Sequence, residues 1–547
     1  MSPLLPVVSL GFVLLLTPGG LFANEFNESA AANDAAGTWE LRLRHQVERT
    51  HGEGRYHQVE RVERWDPRKT VVIVCDMWDS HHCYRAVQRE KEFAPRLNQL
   101  LNEARRRGAT IVHAPSDCMK AYEDHPARKR AIEVPVANDY PEAISSWCHR
   151  IESEEAGTYP IDQSDGGEDD TPEEHAKWEQ ALIAEGRNPR APWLRQIDAI
   201  EIDSQRDYVT DQGKEVWNLI KDLEIENVIL AGVHTNMCVL GRPFGLRRMV
   251  SAGMNTILIR DMTDTMYNPQ AKPYVSHFSG TDLIIQHIER HVCATVTSDQ
   301  FIGGEPFRFA DDKRRHVALV ISEPEYRTEV TLPKFAESNL RRDHRLTMVF
   351  GSASEPDQLP GIEQIAEADA LVLSVRRRTP PREQLQVVRD FVASGKPVVG
   401  IRTANHAFSL RKPVKIAGGE KAGDASSWPT LDADLFGGNY TNHYGPEQKP
   451  VISIVTEQAS HPILQGVDTK PFISGGSLYV VSPVDAKANV LLSGEIPGQK
   501  AEPVAWTFTR EDGGQSFYTS LGATGDFETE AFVRLLDNAI RWSESGK

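Results

Sequence analysis

Uninterrupted runs of β-branched and apolar residues constrain this fold more than any other feature of the sequence. The first run, Thr70-VVIVC-Asp76, lacks the apolar–polar alternation of a strand with one exposed face. It is typical of a strand buried on both faces, as in a parallel sheet covered by helices. An amphipathic helix is predicted from Phe93 to Arg107, ends at Gly108, and precedes a strand from Ala109 to His113. Strand, helix and strand at this spacing predict a βαβ unit.

The same rhythm recurs along the chain and indicates two domains. It breaks between Ser116 and about Ile197, where a long insertion is expected to act as a lid or a substrate-shaping loop. It then continues to Thr297 and restarts at His316. We predict two doubly wound, mostly parallel sheets, each in a three-layer α/β/α domain. The predicted boundaries are 1–23 for a signal peptide, 24–64 for a disordered start and a β-hairpin, 65–300 for the first domain, 301–314 for a linker and 315–547 for the second domain.

Composition and charge narrow the choice of partner. With 547 residues the chain is too long for one ordinary core, and its 40% hydrophobic and 25% charged content is that of a soluble globular protein. A net charge of −17 argues against a nucleic-acid partner, which requires a basic face, and against an anionic membrane surface. We therefore expect a small-molecule substrate, and we predict no cofactor.

The N-terminal segment resembles a secretory signal. Leu4 to Leu16 is almost wholly apolar and is followed by Leu21-Phe22-Ala23, which predicts cleavage after Ala23. The run is too short for a comfortable membrane span, which needs about 20 apolar residues. No later segment is long and apolar enough, so no membrane span is expected after cleavage. Export to the periplasm or the extracellular space is the expectation, although Met1-Ser2-Pro3 carries no Lys or Arg.

The cysteines show neither a zinc-site spacing nor a disulfide framework. Six are present, without a CxxC pair, and a framework is unlikely in a chain of this size. Three of them lie in loop-like sequence, where some pairing in an oxidising compartment stays open: Cys83, Cys118 and Cys148.

One cysteine follows a buried strand at a sharp turn. Val228 to Ala231 is predicted to be a strand that breaks at Gly232, and Cys238 then stands at the start of a helix from Val239 to Ala252. A thiol there faces the positive end of the helix dipole, which favours the thiolate, and free backbone N–H groups, which bind an oxyanion. Strand, turn, nucleophile and helix is a recurrent mount for covalent catalysis. The alternative is that Cys238 is an ordinary small buried residue.

Two further polar residues are predicted to share its edge of the sheet. The carboxyl ends of parallel strands carry the working groups of open α/β sheets. Asp76 and His113 stand at such ends, as Cys238 does. A carboxylate beside a thiol can remove its proton, which makes Asp76 a candidate base.

These residues resemble the isochorismatase-like cysteine hydrolases over about residues 65 to 300. The matching features are Asp76 at its strand end, GVHTNMCV at Gly232 to Val239, and the strand that ends at Arg260-Asp261. The resemblance implies Cys238 as nucleophile, Asp76 as general base, an oxyanion hole of backbone amides near Cys238, and a cis peptide near Val233-His234. It also implies hydrolysis of a C–N bond in a small amide. Members of the family are often homo-oligomers, which leaves the oligomeric state open.

The chain departs from this family at one position. The family carries a catalytic Lys before the helix that precedes the Cys strand, which falls near Ser204 to Arg206 here, and no Lys is present there. Arg206 can supply positive charge, but an arginine cannot shuttle a proton at neutral pH. The predicted triad is therefore incomplete.

Several aromatic residues are candidates for the walls of this site. Substrate contacts are predicted for His113, His234 and Trp78. Trp78, Trp147 and Trp193 are candidates to line an apolar pocket, and ordinary packing explains each of them equally well. Some relatives, the nicotinamidases, bind a metal through an Asp and two His. His81 and His82 are weak candidates for such ligands, but a polar loop explains them better, and we predict no metal.

The second half resembles the ThuA-like (trehalose-utilisation) family of the class I glutamine amidotransferase-like fold, over about residues 315 to 545. The resemblance rests on VVGIRTANHAF, FGGNYTNHYGPE, SHPILQGV, PVAWTF and SFYTSLGATGDF, which begin at Val398, Phe436, Ser460, Pro503 and Ser516. The amidotransferases carry a nucleophilic Cys at the turn after the first of these strands. Arg402 stands at about that place, which excludes glutaminase chemistry.

Histidines are the candidate binding groups of the second half. His406, His443 and His461 are the polar residues most expected to gather in a cleft, with His406 and His443 as predicted substrate contacts. Three functional hypotheses follow for the whole chain. The first, which we favour, is an exported hydrolase that uses Cys238 and Asp76. The second is a non-catalytic protein that binds a carbohydrate or another small molecule, with decayed sites in both domains. The third is a metal-dependent hydrolase that uses His81 or His82.

Overall fold

The structure, a computed structural model, describes residues 37–410, 426–468 and 470–544. The predicted signal peptide lies outside the described residues. Two large, mostly parallel sheets with helices are present, which confirms the predicted α/β class. In the described part of the chain, no helix combines the length and the apolarity needed to cross a bilayer.

The first sheet has eight strands, in the order β2-β1-β8-β7-β6-β3-β4-β5. Strands β3 to β8 run parallel, while β1 pairs antiparallel with both β2 and β8. The strands are β1 Trp39–Glu48, β2 Tyr56–Trp65, β3 Thr70–Cys75, β4 Thr110–Ala114, β5 Tyr208–Val209, β6 Asn227–Val233, β7 Asn255–Asp264 and β8 Ala294–Val296. The helices of this half are α1 Tyr84–Arg106, α2 Pro126–Glu133, α3 Pro172–Ala184, α4 Gly213–Asp222, α5 Leu246–Ser251, α6 His277–His291 and α7 Asp299–Ile302.

Strand β3 is buried along its whole length, as its unbroken apolar run predicts. Its alternate side chains enter two different cores: Val71 and Ile73 pack into one, and Val72 and Val74 into the other. A strand in the middle of a covered sheet has no solvent face, so it carries no polar positions. Strand β3 lies between β4 and β6. Asp76 therefore lies beside the turn after β6 that carries Cys238, residues 233–239, which we call the nucleophile turn.

The second sheet has nine strands, in the order β10-β9-β11-β12-β19-β18-β17-β14-β15. The first five in this order are parallel and the rest antiparallel. Its strands are β9 Arg315–Ser322, β10 His344–Phe350, β11 Ala370–Val375, β12 Val398–Ile401, β14 Val451–Ile454, β15 Phe472–Ile473, β17 Asn489–Glu495, β18 Glu502–Thr509 and β19 Gln515–Thr519. A separate pair joins β13 Asn442–His443 to β16 Tyr479–Val480. The helices are α8 Thr328–Phe335, α9 Arg382–Ala393, α10 Leu431–Phe436 and α11 Glu530–Glu544.

The β1–β2 hairpin joins the two halves. Nε of Arg49 donates to the Gly351 carbonyl at 2.8 Å, and Nε2 of Gln364 donates to the Gln58 carbonyl at 3.1 Å. Gly361 is required there, because a Cβ at this residue would lie 2.2 Å from the same Gln58 oxygen. The hairpin therefore contacts the second half through the Arg49 side chain and the Gln58 carbonyl.

Candidate active site

The nucleophile turn begins at the end of β6. Its Val233–His234 peptide bond is cis, as the family resemblance implied. A π-helical turn, Thr235–Val239, follows and carries Cys238, which is only 7% exposed. Backbone amides of Met237 and Val239 both donate to the His234 carbonyl, at 3.0 and 3.1 Å. The turn is therefore built by its own hydrogen bonds around His234.

Gly232 is the residue that lets β6 approach β3 closely before this turn. Its φ is 118°, and a Cβ there would lie 2.0 Å from the Cys75 carbonyl oxygen. We expect Gly232→Ala to lower the thermal midpoint strongly and to displace the nucleophile turn, because the clash is with backbone. Gly253→Ala is the matched control: its φ is 81°, but a Cβ at this residue would have no other atom within 4 Å. Differential scanning calorimetry of both variants measures the effect, and an equal loss in both would show that the approach to Cys75 does not matter.

The predicted helix from Val239 to Ala252 is interrupted, which corrects the sequence interpretation. Helix α5 begins only at Leu246. Pro243 has no N–H to continue the helical ladder, and the Gly245 N–H turns back to the Arg242 carbonyl at 2.7 Å. The break leaves Arg242 one turn after Cys238, with its side chain free to bend toward β3.

Asp76 accepts two hydrogen bonds where β3 ends. The Ser116 N–H donates to its Oδ1 at 2.8 Å, and Nε of Arg242 donates to its Oδ2 at 2.9 Å. The Cys238 thiol lies close enough to act on the same carboxylate as a hydrogen-bond donor, which lowers the pKa of Asp76. The two predicted catalytic residues are therefore in contact, and Arg242 completes a group of three that we call the Asp–Arg–Cys cluster.

Burial decides the resting protonation of this cluster. It raises the pKa of Cys238 well above the usual thiol value, and Asp76 raises that pKa further, while Arg242 and the His234 N–H lower it. Burial also raises the pKa of Asp76, against the opposing effect of Arg242. The predicted activation of Cys238 by a helix dipole is thus wrong, because a single buried turn offers less stabilisation than desolvation removes. With its pKa raised in this way, Cys238 is a neutral thiol near pH 7.

Arg206, the positive charge considered from the sequence, is not part of the site. It lies on the surface in an ion pair with Asp203 at 2.7 Å. Its neighbour Asp207 is instead buried against Arg105 and His113, at 2.7 and 3.0 Å. Burial raises the pKa of Asp207, but hydrogen bonds from His113 and Arg105 outweigh it and bring that pKa to about 2.

His113 takes part in this network at the end of β4. Its Nδ1 pairs with Oε1 of Gln196 at 2.9 Å and its Nε2 with Asp207. Both ring nitrogens are thus engaged within the protein, and the residue is wholly buried. In this arrangement His113 holds Gln196, on the segment that carries Trp193, and has no ring nitrogen left for a substrate.

Aromatic rings gather beside the nucleophile turn, in what we call the aromatic cluster: Trp78, His81, Trp193 and His234. Trp78 and Trp193 stack at 4.7 Å between centroids, and His81 is nearly parallel to Trp78 at 6.0 Å. His234 meets His81 edge-on at 4.5 Å. Burial lowers the pKa of His234 to about 3, and that of His81 is also lowered well below its usual value. The cluster is therefore uncharged near neutral pH.

The two histidines considered as metal ligands have other partners. Nδ1 of His81 accepts from the Cys83 N–H at 3.1 Å, and Nε2 of His82 lies 3.0 Å from Glu168. Among the described residues, three ligand-type side chains converge elsewhere, at Cys83, Asp169 and Asp170. Asp169 there already holds the Arg89 guanidinium. A guanidinium opposes a bound cation, so this group is explained as an ion pair.

The long insertion shapes the site, as its length predicts. Backbone pairs at Asp79 N to Arg195 O (2.8 Å) and Ile197 N to Met77 O (2.9 Å) attach its end to the loop after β3. Its Trp147 ring lies over the Arg242 guanidinium at 5.5 Å. Its acidic stretch is anchored by Arg89, which bridges Asp169 and Asp264 at 2.9 and 2.8 Å.

A cavity of about 490 Å³ adjoins the nucleophile turn on the side of the insertion. Asn236 and Met237 line it from the turn, together with Tyr159 and Arg247. Neither Cys238 nor Asp76 is among its lining residues. The cavity therefore lies beside the predicted catalytic residues and does not enclose them.

The corresponding turn of the second half carries an arginine. Arg402 follows β12 with a φ of 47° and is only 1% exposed. Its guanidinium lies 3.9 Å from the Tyr326 ring centroid and 4.8 Å from that of Tyr479, and Nη1 donates to the Ser520 carbonyl at 2.6 Å. We call this turn after β12 the elbow, because it is the place at which the amidotransferases carry their nucleophilic cysteine. Here the residue at the tip of the elbow is an arginine whose positive charge is enclosed by the protein.

The three histidines of the second half do not form one group. His406 stacks on Tyr440 at 4.8 Å, and both His406 and His443 lie 6.4 Å from the Tyr479 ring. His461 caps a short turn through the Ile463 N–H and packs on Trp542 at 5.6 Å. Of the three predicted histidines, His406 and His443 therefore lie near the same tyrosine, and His461 lies apart from them.

Sequence reasoning missed Arg242. Its only local signal is the spacing of four residues from Cys238, which places two helical side chains on one face. Ser116 was also missed as an Asp76 partner, because it contributes a backbone N–H that any residue other than proline possesses.

Comparison with known families identifies the second half. Residues 317–543 match the ThuA family, described as trehalose utilisation. This confirms the predicted ThuA-like domain. Comparison with curated proteins gives no match.

Solved structures give low similarity for both halves. A putative ThuA-like protein from Bacteroides uniformis is 16% identical, with 44% of this chain and 95% of that chain covered and a TM-score of 0.32. A cysteine hydrolase from Pseudomonas syringae pv. phaseolicola is also 16% identical, with 43% and 92% covered and a TM-score of 0.26. Similarity at this level assigns no activity, so membership of the first half in the isochorismatase-like family stays a prediction.

Proposed function

We propose that the first half hydrolyses a C–N bond of a small amide through a covalent thioester on Cys238. The observation that carries the proposal is the contact between the Cys238 thiol and the Asp76 carboxylate. The two residues follow β6 and β3, which are paired with Cys75 opposite Gly232. A nucleophile and a base within hydrogen-bond reach satisfy the basic requirement of covalent catalysis.

The reaction divides into two halves. Sγ of Cys238 attacks the amide carbon while the thiol proton passes to Asp76, and the carbonyl oxygen becomes an oxyanion. The backbone of His234 lowers the pKa of the Cys238 thiol, which makes the His234 N–H our candidate donor to that oxygen. The C–N bond then breaks, and the amine leaves with the proton from Asp76. Water, deprotonated by Asp76, attacks the thioester carbon, the C–S bond breaks, and the Cys238 sulfur takes the proton back from Asp76 as the carboxylic acid is released.

The aromatic cluster favours an uncharged substrate. Its rings are neutral near pH 7, because burial lowers the pKa of both His81 and His234. A charged substrate group would lose its hydration against these flat apolar rings and would gain little interaction energy from them. The substrate class we propose is therefore a small neutral amide, within a protein that is exported if residues 1–23 are a cleaved signal.

Ammonia release from a panel of small neutral primary amides tests this proposal. Activity is expected from the purified full chain and is expected to fall by about a thousandfold in Asp76→Asn, which keeps the shape but cannot accept the thiol proton. Asp117→Asn is the matched control, because its exposed carboxylate lies 3.8 Å from Arg242 without touching Asp76. Equal turnover in wild type and Asp76→Asn would contradict the proposal.

A binding role is a second candidate for the ThuA-like half. Arg402 fills the tip of the elbow where a nucleophile would stand, and His406, Tyr440 and Tyr479 form a largely buried aromatic group beside it. Aromatic faces with a few polar groups suit a sugar or another small molecule. Calorimetric titration with trehalose tests this role, and the absence of heat would count against that ligand.

A further inference from the structure

We propose that Arg242 is the fixed positive charge that keeps the Asp76–Cys238 pair electrically neutral before and after the thiol proton moves to Asp76. This inference rests on the proposed function and deepens it. Arg242 acts through Asp76 and does not touch the reacting carbon, so it is a positioning residue.

The geometry places one cation directly on the pair. Nε of Arg242 donates to Oδ2 of Asp76 at 2.9 Å, while Oδ1 accepts from the Ser116 N–H. Of the described residues, no other Lys, Arg or His lies within ion-pair distance of this carboxylate. The bond to Oδ2 also orients the carboxylate toward the thiol.

Charge conservation shows why a cation is needed there. At rest the cluster holds a carboxylate, a guanidinium and a neutral thiol, with no net charge. After proton transfer it holds a carboxylic acid, a guanidinium and a thiolate, again with no net charge. Without Arg242 both states would carry one buried negative charge, which a low-dielectric site strongly disfavours. The carboxylate would then take up a proton from solvent and cease to be a base.

Other ionisable groups around the pair do not supply this charge. Cys75 on β3, Glu90 on α1 and Cys118 after β4 interact electrostatically with Asp76, and each would add negative charge if ionised. Asp79, Asp117 and Asp211, which act on Cys118 in turn, are also acids, and Asp79 is already paired with Arg187 at 3.0 Å. The neighbouring His234 supplies no positive charge near pH 7, because burial lowers its pKa to about 3.

The insertion holds the guanidinium in place. The Trp147 ring covers it at 5.5 Å, and the Cys148 N–H donates to the Gly241 carbonyl at 2.7 Å. A Cβ at Gly241 would lie 2.4 Å from the Trp147 indole, so glycine permits this contact. The cation is therefore partly shielded from water, which strengthens its effect on Asp76 and Cys238.

An arginine makes this charge independent of pH. Its guanidinium stays protonated at every pH at which the protein is active, whereas a lysine amine, with an ordinary pKa of about 10.4 lowered by burial, does not. Removing the cation raises the pKa of both Asp76 and Cys238, since Arg242 lowers each of them. Ionisation of the thiol should then require a higher pH.

Alkylation of Cys238 by iodoacetamide tests this inference without requiring amide turnover. The rate is followed from pH 6 to 10 by mass analysis of the peptide that contains Cys238, in the full chain. We expect Arg242→Gln to slow alkylation at least about tenfold at pH 8. The midpoint of the rise in alkylation rate with pH should move to higher pH in this variant. Arg242→Lys should stay within about threefold of wild type at pH 8 and fall behind it as the lysine amine loses its proton.

Arg206→Gln is the matched control, because its side chain is exposed and paired with Asp203. It should leave the profile unchanged. A wild-type rate and midpoint in Arg242→Gln would overturn the inference. If Arg242→Gln does not fold, Arg242→Lys decides, since an unchanged alkaline profile in that variant would show that the charge plays no part. If Arg242→Gln is alkylated slowly as expected, but the wild-type protein hydrolyses no amide, only the proposed function would be refuted.

Discussion

Replacing Cys238 by alanine is expected to lower amide turnover by at least about 10⁴-fold, the scale seen when a covalent nucleophile is removed. The Asp76 carboxylate and the His234 N–H remain in this variant, but no atom is left to form the thioester. The free energy of unfolding should change little, because the substitution removes one sulfur atom from a turn held by backbone hydrogen bonds to His234. Ammonia release and urea unfolding, measured on the same preparation, separate these two effects.

Cys293→Ala is the control for this experiment. Cys293 is also a free cysteine, but it lies before β8, with Glu289 as the charged group acting on its thiol. Its replacement should leave turnover within about twofold of wild type. Comparable turnover in Cys238→Ala and wild type would contradict the assignment of Cys238 as nucleophile.

Replacing Arg89 by glutamine is expected to cost about 3–5 kcal/mol of unfolding free energy, the range for a buried ion pair that loses one partner. Arg89 bridges Asp169 and Asp264, and both carboxylates are buried. Burial alone raises the pKa of Asp264, but Arg89 and His277 outweigh it and hold that pKa below its ordinary value. Without the guanidinium the two carboxylates repel each other, and only His277 remains to balance them.

The pH dependence of this loss has a definite sign. A carboxylate with a lowered pKa contributes stability above its unfolded value of about 3.9, and that contribution disappears as the pH falls through the folded pKa. The difference between wild type and Arg89→Gln should therefore be largest near pH 7 and shrink below about pH 4. Urea unfolding at several pH values measures it.

An exposed pair provides the matched control for Arg89. Arg64 lies 3.0 Å from Glu40 on the hairpin, and both side chains are largely exposed, at 74% and 47%. Arg64→Gln should cost less than about 1 kcal/mol. Equal losses in Arg64→Gln and Arg89→Gln would show that burial of the Asp169–Arg89–Asp264 bridge does not strengthen it.

Most of the fold could be predicted from the sequence, because each strand can be recognised from a short run of neighbouring residues. The unbroken apolar run at β3 and the glycine-led turn after β6 placed Asp76 and Cys238 at one edge of one sheet, where the structure brings them into contact. It did not predict Arg242, since the break at Pro243 that frees this side chain interrupts a region with good helical periodicity. Protonation of Cys238 was also predicted wrongly, because burial of this thiol depends on the packing of the whole core and not on the local turn.

The second half shows the same limit of local reasoning. The ThuA-like motifs and the elbow at Arg402 were recognised from the sequence. The enclosure of Arg402 was not, because Tyr326 and Tyr479 approach it from distant parts of the chain. His461 carries no sequence sign that it packs on Trp542 instead of joining His406 and His443.

The central claim is that Cys238 forms a covalent thioester with the substrate. It is tested most directly by rapidly quenching a reaction with an amide that the protein hydrolyses. Mass analysis of the peptide that contains Cys238 should show an increase equal to the acyl group of that amide, released again by hydroxylamine. The peptides that contain the other five cysteines should keep their unmodified mass. Unmodified Cys238 throughout turnover, with ammonia still released, would contradict a covalent role for this thiol.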